Sequence, residues 1–385
     1  MVNFFAATLA VLALLSLVLL LWQWAAAQQF PLHRRDADPT FHPGITLLKP
    51  LKGFDATTPA SLQSWFNQDY PGPTQILFGI ADAADPAGEM VRDLIGKNPG
   101  CDAQLVICTD ALGASGKVSN LIQLERQAKY DLILVSDADV RVPGDFLANV
   151  VSLLRDERIG LVNCFYRLAN PVTPAMQCEA VAINADFWSQ VLQSATLKPI
   201  DFALGAVMLV RRRCLAEMGG FTALADCLAD DYQLGHRIAR RGHQIALCPI
   251  VVECWNAPMG WREVWKHQLR WARTIRVCQP IPYFFSILSN ATFWPMLLLI
   301  VSMTAFGFGW LTLGAIAALL IRVGLARNLQ RRLTPTGSLI SPAWLVPIKD
   351  MLQAGIWAAA FLGDTVEWRG QQMRLRKDGT IILKQ

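Results

Sequence analysis

The sequence predicts an α/β domain on a mostly parallel sheet, held between apolar helices at the two ends of the chain. Three observations carry that reading. Of 385 residues, 53% are hydrophobic and 17% charged, against roughly 25% charged in an ordinary soluble domain. Two long stretches, 3–24 and 284–321, contain no charge. Between them, short β-rich runs alternate with helical stretches, the pattern of strands joined by crossover helices. This composition excludes a disordered chain. Lys plus Arg exceed Asp plus Glu by 35 to 30, and a dispersed net charge of +5 is too weak to indicate nucleic acid. Nine cysteines without a C-x-x-C pair indicate neither a zinc site nor a disulfide scaffold; they read as reduced, mostly buried thiols.

Residues 1–27 read as an amino-terminal transmembrane anchor. Positions 3–24 would span about 33 Å as a helix, enough for a hydrocarbon core of about 30 Å. Ala25, Ala26 and Ala27 would suit a signal-peptide cleavage site, but no cation precedes the apolar run, and Arg34 and Arg35 follow it. The positive-inside rule then puts the amino terminus outside and the following domain in the cytoplasm. The stretch 284–321 suits a transmembrane hairpin turning at Gly307 and Gly309, with Arg322, Arg327, Arg331 and Arg332 back on the cytoplasmic side. A third apolar segment, 343–363, carries Lys349 and Asp350. It reads as an interfacial or re-entrant helix in preference to a crossing with a paired charge. Residues 364–385 form a basic cytoplasmic tail with Arg369, Arg374, Arg376 and Lys377.

The intervening domain, 44–260, follows a Pro-rich linker. Strands are expected at 45–49, 75–80, 104–108, 132–136, 160–165 and 207–210, and helices near 87–96, 118–129, 145–155, 177–193 and 228–241. Sites in such sheets lie past the carboxyl ends of strands. Asp82 and Asp85 follow one strand, and Asp137 and Asp139 another. Two carboxylates flanking Ala138 in extended chain project the same way. Both can approach a hard cation, Mg²⁺ or Mn²⁺, which completes its shell with phosphate oxygens. That pairing points to a diphosphate substrate. Asp145, at a helix start, reads as a cap. Of Asp230 and Asp231, one suits the first turn of the next helix and the other a general base. Residues 261–283 form an amphipathic, interfacial helix in which Trp261, Trp265 and Trp271 accompany basic residues, and it contains His267-Gln268-Leu269-Arg270-Trp271.

Together these residues resemble the ceramide glucosyltransferase family, membrane relatives of processive glycosyltransferases with a GT-A nucleotide-sugar fold. The resemblance runs through TLLKPLKG (46–53), Asp85-Pro86-Ala87, KVSNL (117–121), DADVRV (137–142), ADDY (229–232), Arg270-Trp271, and the tail Val366-Glu367-Trp368-Arg369-Gly370 with Met373-Arg374-Leu375. It implies that Asp82 or Asp85 meets the uracil and ribose, and that Asp137 and Asp139 hold metal and diphosphate. It further implies Asp231 as catalytic base, with Arg270 and Trp271 holding the leaving diphosphate and framing the acceptor. Lys117 and Lys49 are secondary candidates for diphosphate contacts. One departure stands out. The motif is written Q-x-x-R-W or R-x-x-R-W, and here His267 opens it; a His still donates a hydrogen bond. The departure and the few membrane segments weigh against a polymerising enzyme.

The implied activity is inverting transfer of a hexose from a UDP-sugar, UDP-glucose first, to the primary hydroxyl of a membrane lipid, ceramide first. The expected cofactor is Mg²⁺ or Mn²⁺, and the expected partners are the donor, the lipid and the membrane, with no nucleic acid. The alternatives are N-acetylglucosamine transfer to a hopanoid tetrol and, from another class, an inactive membrane scaffold. A polyprenyl-phosphate sugar transferase shares the D-x-D but not the V-x-W-R-G tail. The membrane expected is a bacterial inner membrane.

Overall fold

The computed structural model describes residues 1–335, 337–368, 371–376 and 378–383. Arg369, Gly370 and Lys377 of the expected tail lie outside the described residues. In chain order the elements are α1 (Val2–Gln29), β1 (Ile45–Leu51), α2 (Thr58–Phe66), β2 (Thr74–Ile80), α3 (Ala87–Lys97), β3 (Asp102–Ile107), α4 (Gly116–Glu125), β4 (Leu132–Ser136) and β5 (Val140–Arg141). There follow α5 (Phe146–Ser152), β6 (Ile159–Leu168), α6 (Pro174–Val181), a π turn (Ala182–Phe187), α7 (Trp188–Ala195), β7 (Val207–Arg211), α8 (Arg212–Glu217), α9 (Asp230–Ala239) and β8 (Gln244–Cys254). The last are α10 (Trp261–Cys278), α11 (Pro280–Phe285), α12 (Phe293–Ala305), α13 (Trp310–Leu333), α14 (Leu345–Ala360), β9 (Thr365–Trp368), β10 (Gln371–Leu375) and β11 (Ile381–Leu383).

The chain divides into two compact units: Pro31–Asn170 with Lys198–Ala257 and Gly379–Gln385, and Met1–Phe30 with Pro171–Leu197 and Pro258–Asp378. The first contains an eight-stranded sheet of order β3-β2-β1-β4-β7-β6-β8-β5. β1 pairs in parallel with β2 and β4, β2 with β3, and β6 with β8; β7 runs antiparallel to β4 and β6, as β5 does to β8. Helices cover both faces, so the central strands read as continuous apolar runs. Alternation along β1 sends Ile45 and Leu47 against Trp65, Val91 and Phe146, and Leu48 against Val118, Leu121 and Leu234 on the other side. All six expected strands are present. β8 was not expected. Pro249 interrupts its run, as Pro does at irregular positions, and the register to β6 shifts there, between Cys164 opposite Cys248 and Tyr166 opposite Val252.

The second unit gathers the apolar helices. α1 and α13 are long and apolar enough to cross a membrane, and Pro280–Ser289 with Phe293–Ala305 form a pair bent by 42° that passes the same test together. Helix α1 buries Ala6, Leu9, Ala13, Ser16, Leu20 and Gln23 along one stripe and exposes Phe4, Phe5, Val11, Leu14 and Val18. The turn at Gly307 and Gly309 is where the sequence puts it, with Gly307 at φ +73°. α13, however, continues past Ile321, because Arg322 does not end the apolar helix. Its guanidinium is buried and makes paired hydrogen bonds to Asp186 (2.9 and 2.8 Å) and to Asp350 (2.8 and 2.8 Å). Lys349 bonds both carboxylates as well. Arg322 is thus no headgroup cation.

Two cations and two anions balance in this cluster, and Thr292 adds a hydroxyl to Asp350 at 2.5 Å. The 16-residue α14 is therefore fixed by Lys349 and Asp350 within this unit. Breaking a buried ion pair from one side leaves an uncompensated charge and costs about 3–5 kcal/mol. Arg322→Met is expected to lower the thermal midpoint of the detergent-solubilised protein accordingly, whereas Asn328→Ala, which removes an exposed acceptor of the Trp24 and Gln28 side chains, should cost no more than about 1 kcal/mol.

Candidate active site

Parallel pairing of β2, β1 and β4 brings their carboxyl ends to one edge of the sheet. After β2, Asp82 is exposed and accepts the Ala84 amide at 2.9 Å. Asp85 accepts the Ala87 amide at 2.9 Å and, with both oxygens, the Gly53 amide at 3.0 and 3.1 Å. Gly53 has φ +62°, a conformation open to Gly, so the turn after β1 is held against the loop after β2.

After β4, Asp137 and Asp139 lie partly exposed. Beneath them Lys49 is fully buried, donates to Ser136 Oγ at 2.9 Å and the Asp137 carbonyl at 3.1 Å, and sits 3.9 Å over the Trp65 ring. Burial pushes its pKa well below the ordinary lysine value against the pull of Asp137 and Asp139. Lys49 thus braces the turn from below, with its ammonium engaged by Ser136 and the Asp137 carbonyl.

Lys117, near the start of α4, lies 3.0 Å from Asp137 Oδ1 and 3.0 Å from Asp230 Oδ2. Its side chain is 12% exposed. Burial opposes its charge, yet Asp137, Asp230 and Asp231 together outweigh burial and hold it above the ordinary value. α4 starts here because Ser115 caps it, accepting the Val118 amide. Asp230 and Asp231 open α9. Burial, with the negative charge of Asp230, pushes Asp231 up to about 6, partly offset by Lys117. Its Oδ1 accepts the Tyr232 amide at 2.7 Å, and Oδ2 would lie 2.7 Å from a Cβ on Gly205. Gly205 leads into β7, and only a bare Cα there leaves room for the carboxylate.

Sequence reasoning gave Lys117 a secondary place and passed over Gly205; the KVSNL and ADDY segments are where the signal lay. Asp145 stands at the start of α5 but makes no side-chain cap; its carboxylate pairs with Arg35 at 2.9 Å.

Among the described residues no group of three or more His, Cys, Asp or Glu side chains forms a metal cage. The donor set of Asp137 and Asp139 instead fits a hard divalent ion that takes one or two carboxylates and fills its remaining positions with substrate phosphate oxygens and water.

His267, Arg270 and Trp271 lie on α10 in the other unit. His267 Nδ1 is 2.7 Å from Glu179 Oε1, and its ring stands edge to Trp271 at 4.7 Å. Trp271 also meets Phe187 at 6.0 Å, and Trp265 packs towards α14, so both are engaged in packing; Trp261 is exposed. Arg270 lines a cavity of about 190 Å³ with Lys266, Arg273, Thr365 and Glu367, where the tail strand β9 meets α10 through the Lys266–Glu367 pair at 2.8 Å.

The sequence model of glycosyl transferase family 21 matches residues 8–381. The chain belongs to glycosyl transferase family 21. Its expected kinship with ceramide glucosyltransferases is borne out by relatives bearing that name: ceramide glucosyltransferase 1 of Caenorhabditis elegans is 28% identical over 222 residues, 56% of this chain and 46% of the relative. That of Candida albicans is 35% identical over 128 residues, 30% of this chain and 24% of the relative. A β-monoglucosyldiacylglycerol synthase of Trichormus variabilis is 26% identical over 201 residues, 51% of this chain and 41% of the relative. The family 21 chain thus spans about half the length, or less, of these relatives. Among solved structures, a mannosyltransferase of Pyrobaculum calidifontis, in complex with GDP-mannose and Mn²⁺, superposes with a TM-score of 0.57 at 21% identity, covering 94% of this chain and 98% of its own. That likeness supports the expected GT-A fold.

Gly205→Ala is expected to cost about 1–3 kcal/mol by overpacking, seen as a lower thermal midpoint. Gly116→Ala, with nothing within 4 Å of its added carbon, should be neutral or slightly stabilising.

Proposed function

We propose that this protein is a metal-dependent, inverting glycosyltransferase that moves glucose from UDP-glucose to the primary hydroxyl of a membrane lipid, with ceramide as the acceptor. The observation that supports the reading is Lys117 joined to both Asp137 and Asp230, because it ties the D-x-D turn to the segment that carries Asp231. Asp231, pushed up to about 6, has the basicity of a general base that is ionised near neutral pH and still accepts a proton readily. It removes the proton of the lipid hydroxyl as that oxygen attacks the anomeric carbon and the nucleoside diphosphate leaves from the opposite face. A divalent ion held by Asp137 and Asp139 would supply Lewis-acid stabilisation of the departing diphosphate. Asp82 and Asp85 serve the nucleoside. Arg270 and Trp271 keep the roles that their motif implies, Arg270 for the leaving group and Trp271 for the acceptor.

The acceptor class draws support from the relatives' names, two for ceramide and one for diacylglycerol, and from the long apolar helices in the same chain. The proposed placement is a multi-pass protein of a bacterial inner membrane with its acidic site in the cytoplasm.

Purified protein with Mn²⁺, UDP-glucose and ceramide is expected to yield UDP and glucosylceramide, the latter read by lipid mass spectrometry, with UDP-N-acetylglucosamine, diacylglycerol and a hopanoid tetrol as competing arms. Product confined to another pair would replace the donor or acceptor named here, and no product from any pair would overturn the transferase reading. Asp231→Asn should lower kcat by about three orders of magnitude or more while leaving UDP-sugar affinity nearly unchanged. Because the base must be ionised, kcat of the native enzyme should fall as pH drops through about 6. A pH-independent rate down to pH 5 would remove Asp231 from the mechanism.

A further inference from the structure

Glu179 on α6 has a side chain with no exposed surface, and none of the roles above uses it. Its Oε1 receives two hydrogen bonds, from His267 Nδ1 at 2.7 Å and from Gln268 Nε2 at 2.8 Å. Its Oε2 has no hydrogen-bond partner among the described residues. A buried carboxylate is costly unless donors meet it, and an ionised one only accepts. Both of its donors come from consecutive residues of α10, so the carboxylate fixes that helix in height and rotation against α6.

The consequence passes along α10. With the carboxylate as acceptor, the proton lies on Nδ1 of His267, which sets the tautomer of the neutral ring. The ring then stands edge to Trp271, one turn further on, at 4.7 Å and 61°. Phe187 contacts Trp271 as well, with ring centroids 6.0 Å apart. Glu179, His267 and Trp271 thus form a relay of contacts, of which the buried carboxylate is the fixed end.

We propose that Glu179 is a positioning residue for the H-x-x-R-W motif: its carboxylate fixes the rotamer and tautomer of His267, and His267 in turn seats Trp271 for the acceptor. The proposal rests on the reading of Trp271 as part of the acceptor frame. It accounts for the departure at position 267. What the carboxylate requires there is a hydrogen-bond donor, and His, Gln and Arg all supply one.

The test uses the full chain in detergent, with UDP-sugar affinity as the check that each variant is folded. Glu179→Ala and His267→Phe should each lose about tenfold or more in kcat/KM for the lipid, with the KM for UDP-sugar little changed. The double variant should fall no lower than Glu179→Ala alone, because both changes break one contact. His267→Gln and His267→Arg should each exceed His267→Phe by about tenfold. Native kcat/KM in Glu179→Ala, multiplying losses in the double variant, or equal losses for Phe, Gln and Arg would overturn the proposal. A second readout needs no turnover. The chain has five histidines, and ¹⁵N spectra assigned by loss of a signal in His267→Phe should show the neutral His267 protonated at Nδ1 and lose that preference in Glu179→Ala. An unchanged tautomer would overturn the positioning role, whereas the expected tautomer shift in a protein that transfers no sugar would count against the transferase reading instead.

Discussion

Carboxylates from two distant segments, Asp137 from one and Asp230 and Asp231 from the other, gather around one buried lysine, and their mutual repulsion is the constraint around which this site is built. Asp137 and Asp139 end β4; Asp230 and Asp231 begin α9. Lys117 makes the arrangement possible by standing 3.0 Å from a member of each pair. A buried ammonium between carboxylates is stabilised by both, and each carboxylate is eased by it. Burial, with the charge of Asp230, raises Asp231 despite Lys117, and Asp137 and Asp139 leave an anionic edge suited to a divalent ion. The local fold of this edge is therefore tied to one balance of charge.

Much of this was legible in the residues themselves. All six expected strands formed, because strands covered on both faces announce themselves as apolar runs, and the acidic pairs were visible because they follow such runs directly. The resemblance added roles that spacing alone left open. What the sequence hid was long-range. Nothing in the segment around Pro249 distinguishes an irregular strand from a loop until β6 offers it a partner with a shifted register. Nothing near Gly205 tells that its missing side chain makes room for Asp231. Lys49 is a secondary candidate by sequence, and its burial beneath Ser136 as a brace is set by tertiary packing. The helical run after β6, read as part of the sheet domain, groups with the apolar helices, a partition set by packing that no local pattern reveals.

The apolar unit solves a charge problem of its own. Asp186, Arg322, Lys349 and Asp350 are all buried, and they balance two against two. Such a cluster adds little net stability over a well-packed apolar equivalent, but breaking it from one side leaves an uncompensated charge. Here it joins α13, α14 and the segment between α6 and α7 at one point. Gln23 of α1 reaches Ser189 just beyond, at 2.6 Å. A few polar contacts thus tie these apolar helices together.

The π turn at Ala182–Phe187 shows how narrowly this is drawn. Adjacent residues leave it in different directions: Asp186 to Arg322 and Lys349, Phe187 to the ring of Trp271. A π turn holds one residue more than its α counterpart. Excising a single residue would wind the segment back to the ordinary pitch with the flanking helices nearly in register, and the residues inside the turn would no longer diverge to the salt cluster and the tryptophan. Composition here could drift by conservative exchange, but the count of residues could not, so insertions and deletions should be rarer in this stretch of the lineage than substitutions.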